Sequence, residues 1–424
     1  MNDYDIAVLT TGDELLSGEL TDTNTGTIAE ILALNGFRLR CSLSVPDQEK
    51  EISAALSYLV GHARFVIVTG GLGSTVDDLT ARAAARTLGQ PLVINEEALA
   101  MVRAWFAARN LQMEPNNERQ ALLPQQAQPL RNRQGTAPGF YLSHQGCELF
   151  FLPGVPKEMK PMFEQEVLPL LRRRVRDAVP LQQRIYKLFG LAEPRIDRMI
   201  PHHRLPPGVN VAFGLDYPLV LVKLRAGGRE ANDLLDQAEA LLIRELGDHI
   251  MARDGETPEG MVGKMLTGAG LTLALAESCT GGLLAAMLTS QPGASAFLER
   301  GAVTYADSAK QDWLKVPPQI LQQYGAVSEQ CARAMAAGLR KASGTDLAVA
   351  ITGIAGPDGA TVDKPVGTVY IALAAENGVH AKRYQFSGDR NRVQRMSAFM
   401  SLEWIRRFAL QHMERERDQH GSRL

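Results

Sequence analysis

The chain is predicted to be an α/β protein: a parallel sheet covered by helices at its N-terminal end, a small α+β segment in the middle, and a second α/β domain at its C-terminal end. Three observations carry that expectation. Short, wholly apolar runs end in glycine turns and lead into helical segments in both outer parts of the chain, as buried parallel strands do. The texture changes near 175, after Arg172-Arg173-Arg174-Val175-Arg176 and before Pro180, and resets near 257. A length of 424 residues with 45% hydrophobic content fits two or three separate cores. The expected domains are 1–175, 176–255 and 256–424.

In the first domain, Asp5–Thr10 reads as a buried strand that ends at Thr11-Gly12-Asp13. A helix follows over 22–34, with Asp22 as N-cap and Gly36 as its stop. Phe65–Thr69 and Leu149–Leu152 are further strands, and their ends meet Gly70-Gly71-Leu72-Gly73 and Pro153-Gly154. In the middle segment, strands at 185–189 and 219–224 alternate with helices near 193–200 and 230–246, and no convergent polar cluster is apparent. In the last domain Thr257 caps a helix, Leu271–Ala276 is a strand, and Ser278-Cys279-Thr280-Gly281-Gly282 turns into an apolar helix over 283–288. Ala302–Tyr305 and Ala348–Thr352 are strands. Val366–Ala375 and Val379–Phe386 form a hairpin in which Asn377-Gly378 supplies positive φ. A helix over 391–410 follows, with a frayed tail from Met413.

Composition excludes several classes. Forty-five basic against 47 acidic residues leave a net charge of −2, without the basic excess of a dedicated nucleic-acid binder. No apolar run is long enough for a membrane span, and the acidic start lacks the basic region of a signal peptide. Four scattered cysteines form no CxxC pair and fit a reducing cytosol. A cytoplasmic protein that contacts neither nucleic acid nor membrane is expected.

The chemistry lies in the glycine turns. Gly70-Gly71-Leu72-Gly73-Ser74-Thr75-Val76-Asp77-Asp78 follows a strand and precedes a helix. Glycines let the backbone approach a phosphate, and two adjacent carboxylates beside a phosphate call for a bridging hard cation. The other reading is that Asp77 and Asp78 cap the next helix. The loop is neither a Walker A motif nor a dinucleotide fingerprint. Asp13 and Glu14 add carboxylates at the end of the first strand, on the same rim. In the last domain, Ser278 sits at a strand–turn–helix junction and is either a nucleophile or an N-cap. No histidine is framed as its base. Lys310, after Tyr305-Ala306-Asp307-Ser308-Ala309, could serve if burial lowers its pKa. Cys279 is a weaker nucleophile candidate because nothing is placed to activate it. A third glycine turn, Thr352-Gly353-Ile354-Ala355-Gly356-Pro357-Asp358-Gly359, completes a pocket suited to a phosphorylated ligand.

These residues carry a resemblance. Thr-Gly-Asp-Glu-Leu-Leu-Ser-Gly at 11–18, Gly-Gly-Leu-Gly-Ser-Thr-Val-Asp-Asp-Leu-Thr at 70–80, Asn117–Ala121, Gly135–Gly139 and Leu152–Met159 resemble the molybdopterin-binding type of domain of the CinA (competence/damage-inducible protein A) family. Ala276–Gly282, Gly301–Lys310, Gly325–Glu329, Thr352–Gly359 and Lys364–Val369 resemble its nicotinamide-nucleotide amidohydrolase domain. The resemblance implies metal-dependent hydrolysis of the ADP-ribose pyrophosphate in the first domain. Asp77 and Asp78 would hold a divalent ion such as Mg, Mn or Co, and Asp13, Glu14, Gly70, Gly71 and Gly73 would line the diphosphate site. For the last domain it implies deamidation of nicotinamide mononucleotide without a cofactor. Ser278 would be the nucleophile, Lys310 and Tyr305 its assistants, and Thr280, Gly281, Gly282, Thr352, Gly353, Gly356, Arg390 and Arg392 the substrate contacts. Backbone N–H groups near Gly281 and Gly282 are the expected oxyanion donors.

Two departures stand out. Ser74 replaces a proline usual in the family, and Gln394 replaces an arginine, leaving Arg392 or Arg395 to hold a phosphate. The expected partners are small-molecule nucleotides and a second copy of the chain in a homodimer. The alternative function is a non-catalytic nucleotide- or pterin-binding regulator, linked to competence or to the molybdenum cofactor.

Overall fold

The computed structural model describes residues 5–175 and 178–421; Arg176, expected at a helix end, and the last three residues lie outside them. The chain divides into two compact units, 1–183 with 226–233 and 184–225 with 234–424.

The first unit contains a six-stranded sheet in the order Leu39–Val45, Ile6–Thr11, Phe65–Thr69, Cys147–Leu152, Gly139–His144, Gln128–Leu130. The first four strands are parallel and the last two antiparallel. Alternate residues face opposite cores. Ala7, Leu9, Val66 and Val68 join one cluster, whereas Ile6, Val8, Phe65 and Ile67 join the other. Burial on both faces explains why these strands read as unbroken apolar runs. Leu39–Val45 escaped notice because its alternate residues are exposed. Asp22 caps the helix Thr23–Leu34 as expected, accepting from the Thr25 amide at 2.9 Å.

The middle segment forms a four-stranded sheet in the order Asn210–Asp216, Leu219–Gly227, Leu181–Leu188, Ile250–Arg253. Two of these strands, Asn210–Asp216 and Ile250–Arg253, were not anticipated. The segment also holds a polar cluster that single-residue reading missed. Arg184 pairs with Asp236 at 2.5 Å and with Glu239, and Glu239 also meets Arg253 at 2.5 Å.

The C-terminal sheet runs Leu298–Val303, Leu273–Glu277, Leu347–Gly353, Thr368–Ala375, Gly378–Gln385. The first three strands are parallel and the last three antiparallel in sequence, sharing Leu347–Gly353. Its two faces differ in kind. Leu273, Leu275, Leu347, Val349, Ile351 and Ile371 pack into a large aliphatic core. The opposite face presents Ala274, Ala276, Ala348, Ala350, Ala372 and Ala374. Small side chains allow the helix Glu329–Ser343 to lie close to the sheet, with Cys331, Met335 and Leu339 against the alanines.

Three expectations are corrected here. The strand placed at Ala302–Tyr305 is Leu298–Val303, and Tyr305 lies beyond it. Of the pair Asn377-Gly378, only Gly378 carries positive φ. The last helix runs from Arg390 to Gly421 and does not fray at Met413.

One contact sets the position of Lys310. A Cβ on Gly338 would stand 1.8 Å from the carbonyl oxygen of Leu314, at the end of the helix Asp307–Leu314. Gly338→Ala is therefore expected to overpack this contact, costing about 1–3 kcal/mol. A lowered thermal midpoint with lost ordering around Lys310 checks it, and an unchanged midpoint would show the two helices free to separate.

Candidate active site

The strand Leu273–Glu277 ends in a buried carboxylate that organises the adjoining turn. Glu277, 1% exposed, accepts from the amides of Gly282 at 3.1 Å, Leu284 at 3.1 Å and Ala285 at 2.8 Å. These amides belong to the start of the helix Leu283–Thr289, where N–H groups have no intrahelical partner and the dipole favours an anion. The chain can make the intervening turn because Gly281 and Gly282 both take positive φ, 64° and 95°. Sequence reading did not single out Glu277, whose role depends on three amides that only the folded turn brings to it.

Ser278 sits in this turn, with its amide donating to the Ile351 carbonyl at 3.1 Å. It does not cap the helix, whose N-cap is Gly282. Lys310 comes from the helix Asp307–Leu314 and is 1% exposed. Its Nζ lies 3.3 Å from Ser278 Oγ and 2.9 Å from each of the carbonyl oxygens of Thr304 and Tyr305. Burial lowers its pKa below the ordinary 10.5, against the opposing pull of Asp307, whose carboxylate is 3.9 Å away. A neutral amine has two N–H donors and one lone pair. The two carbonyls take the donors, which leaves the lone pair for the Ser278 hydroxyl.

The remaining expected residues divide. Tyr305 contributes its carbonyl to Lys310, while its phenol is exposed and accepts from Arg390 at 3.2 Å. Arg390 also donates to the Gly356 carbonyl at 2.9 Å, which joins the second and third motifs. The Thr352 hydroxyl donates to the Ala326 carbonyl at 2.8 Å, and Gly353 closes its strand against Thr368. The Thr280 hydroxyl is buried beside the nucleophile without a protein partner. Arg392 stacks on the Tyr217 ring, 4.4 Å from its centroid. The Cys279 thiol is buried and pushed up to about 12, which makes it a poor nucleophile.

Two amides of the expected oxyanion region are already engaged. The Gly281 amide is bonded to the Ser278 carbonyl at 3.0 Å and the Gly282 amide to Glu277. Of the other amides of the turn, that of Cys279 is engaged by its own thiol, and that of Thr280 makes no backbone–backbone bond. Gln394 is not an empty phosphate position either. Its Nε2 donates to the Cys279 carbonyl at 2.8 Å, bracing the turn from outside.

The first unit holds a larger pocket, about 840 Å³, at the carboxyl ends of its parallel strands. Gly70, Gly71 and Gly73 line it together with six carboxylates, Glu14, Asp22, Asp47, Asp77, Asp78 and Glu158. No lysine, arginine or histidine is among the described lining residues. Gly71 has φ 64°, and a Cβ there would meet Thr80 Oγ1 at 2.3 Å, so the close turn requires glycine. Asp78 does not cap the following helix, whose N-cap is Leu79. It accepts from the amides of Gly73 at 2.7 Å and Thr75 at 2.8 Å and from the Thr75 hydroxyl at 2.6 Å. This fixes the loop on both sides of Ser74, so the missing proline does not loosen it. Asp77 is the exposed member of the pair.

Asp13 exchanges backbone–carboxylate bonds of 3.2 Å with Asp47 and is not among the lining residues, whereas Glu14 is. Asp47, not anticipated, has its pKa raised by burial, then by the charges of Asp13, Glu14 and Asp77. Among the described residues, no three His, Cys, Asp or Glu side chains form a ready metal cage.

The chain is thus a two-site α/β protein, with an acidic glycine-lined pocket in one unit and a serine–lysine site in the other. Its residues 256–409 match the model of the CinA C-terminal domain, and residues 7–173 that described as a "Probable molybdopterin binding domain". It is 55% identical over 403 residues to a CinA-like protein of Syntrophotalea carbinolica, covering 95% of this chain and 98% of that one. With a CinA-like protein of Geobacter metallireducens it shares 48% over 410 residues, 96% and 99% of the two chains. Among solved structures, a CinA superfamily protein of Klebsiella pneumoniae matches with 36% identity and TM-score 0.35, over 35% of this chain and 94% of that one. The chain belongs to the CinA family.

The turn geometry generates a prediction. Glu277→Gln puts an amide donor among three amide donors, and losing the charged acceptor costs about 1.5–3 kcal/mol. A fall in the thermal midpoint is expected, with exchange protection lost first at the amides of 282–285. Unaltered exchange there would show that the carboxylate does not hold the turn.

Proposed function

We propose that the C-terminal site hydrolyses the carboxamide of nicotinamide mononucleotide to nicotinate mononucleotide and ammonia. The observation that carries this reading is the desolvated Lys310, whose two carbonyl partners leave its lone pair for Ser278. In the first step the Ser278 Oγ–H bond breaks, its proton passes to Lys310 Nζ, and Oγ bonds to the carboxamide carbon. The oxygen of the tetrahedral adduct takes a bond from the Thr280 amide. Collapse breaks the C–N bond while Lys310 returns the proton to the leaving nitrogen, and ammonia departs. Water then attacks the acyl ester, giving its proton to Lys310, and Ser278 is regenerated as the nicotinate leaves. Arg390, tied to Tyr305 and Gly356, stands where an anionic group of the substrate would be bound.

Ser278→Ala is expected to abolish ammonia release from the mononucleotide while the melting profile stays intact. Residual release near wild-type level would remove Ser278 from the mechanism. Because the reactive form of Lys310 is neutral, kcat/KM should rise with pH through an inflection below the ordinary lysine value of 10.5. A rate that falls with rising pH across that range would contradict a lysine base.

For the first unit we propose metal-assisted hydrolysis of an ADP-ribose-type diphosphate. The supporting observation is the cation-free acidic lining, which repels a diphosphate unless a divalent ion intervenes. Asp77, with Asp78 beside it, would hold such an ion, and substrate phosphate oxygens would complete its shell, as suits Mg²⁺ or Mn²⁺. When bound, the ion neutralises the phosphates and polarises the bond to be cleaved. The glycine turn supplies backbone N–H groups to the phosphates. Asp77→Ala should lose metal-dependent release of phosphate esters from ADP-ribose by about a hundredfold, in line with other charge-stabilising groups. Retained release in that variant rejects this assignment, and pterin binding without ADP-ribose turnover would favour a cofactor-binding role.

A further inference from the structure

The pocket of the first unit holds two polar groups that its metal–diphosphate chemistry does not use. Asn24 stands in the first turn of the helix Thr23–Leu34 and Gln120 in the short helix Pro115–Ala121. Each is 7% exposed, and both line the pocket. Asn24 Nδ2 donates to the Gly154 carbonyl at 2.7 Å. A carbonyl only accepts, so the orientation of this amide is fixed and its Oδ1 is left for another donor. Gln120 Nε2 meets the Thr136 hydroxyl at 3.0 Å. Asn24 Oδ1 and Gln120 Oε1 are both buried and find no donor among the described residues. Buried acceptors are normally satisfied, so two of them lining one pocket point to a ligand that supplies hydrogens.

Their surroundings specify what that ligand presents. The Glu158 carboxylate accepts from Asn132 Nδ2 at 2.8 Å and lies against Gly135, where a Cβ would stand 2.0 Å from its Oε2. Gly135 adjoins Thr136, so Gln120, Thr136 and Glu158 are contiguous, and the Gly154 that Asn24 holds is in the turn leading into the helix of Glu158. This side of the pocket therefore offers acceptors to a ligand. The edges of a nucleobase such as adenine carry ring-nitrogen acceptors beside a single amino group, which fits such a lining poorly. A sugar fits better, because every hydroxyl carries a donor hydrogen.

We propose that this side of the pocket is a ribose subsite, in which hydroxyls of a ribosyl phosphate donate to Asn24 Oδ1 and Gln120 Oε1. It deepens the diphosphate reading and rests on it for what the ribose is attached to. An ADP-ribose-type substrate carries two riboses, one on adenine and one terminal, and the same chemistry would seat either.

The test measures calorimetric binding to the full chain with Mg²⁺, using ribose 5-phosphate and AMP against their 2-deoxy forms, and AMP also against 3′-deoxy-AMP. At least one ribose ligand should bind about tenfold or more tightly than its deoxy counterpart. Preference within the ribose 5-phosphate pair assigns the terminal ribose, and preference among the AMP forms assigns the adenosine ribose. Asn24→Ala and Gln120→Met should each bring a preferred pair to within about threefold, whereas Gln120→Glu, which keeps an acceptor in place, should retain the preference. A pocket that is merely loosened weakens both members of a pair alike and leaves their ratio unchanged. No binding by any of these ligands, no preference in the wild type, or a preference that survives both Asn24→Ala and Gln120→Met overturns the subsite. If ADP-ribose is not cleaved although the preference is present and is lost in the two variants, the hydrolase reading fails and the ribose subsite stands.

Discussion

The Glu277 carboxylate is the constraint on which the C-terminal site depends. A charge this deeply buried is tolerated only where it is bonded, and Glu277 meets that condition through three amides of the turn and the first helical residues. Satisfying it folds the chain back on itself within a few residues. That in turn demands positive φ at Gly281 and Gly282. The position of Ser278 thus follows from an electrostatic requirement one residue before it. The same arrangement uses up the Gly282 amide.

The partner of Ser278 is placed by packing. Lys310 could not be buried if its helix rode high over the sheet. The alanine face of that sheet and Gly338 let the helices settle close, and the resulting dry environment holds the lysine's pKa down. The two carbonyls from Thr304 and Tyr305 solve a second problem. They satisfy a neutral amine's donors, so burial does not leave an unpaired polar group. Acid–base competence here comes from shape complementarity among small residues as much as from the reactive groups.

Much of this was legible in the chain. Strands buried on both faces, such as Ile6–Thr11 and Leu347–Gly353, declare themselves as continuous apolar runs, and Ser278, Lys310 and the glycine turns stand out as polar residues at strand ends. The strand Leu39–Val45 hid because half of its residues face solvent. Asp47 hid because it acts through a residue far away in sequence, Asp13, and Gln394 was visible as a departure while its contact with the distant Cys279 carbonyl was not. Tyr305 was visible as a residue but not as a backbone acceptor, since a carbonyl has no side-chain signature. Motif reading finds groups that react; it does not see main-chain groups that hold them.

On the functions proposed above, the two sites would meet the same problem, an anionic substrate, by opposite means. Near Ser278 the chain has cations of its own: Arg390 reaches two motifs at once, and a buried lysine lies beside the hydroxyl. The pocket of the first unit has only carboxylates and backbone amides among its described lining residues. Asp78 is spent on the loop, and the Asp47 carboxyl is pushed up by burial and then by the charges of Asp13, Glu14 and Asp77. The field in that pocket disfavours a bare diphosphate and favours a multivalent cation. Backbone amides at the glycine turn could then bind phosphate only after the ion had compensated the surrounding charge. On the functions proposed above, a need for exogenous metal would arise in the unit whose pocket lining carries carboxylates and no cation among its described residues.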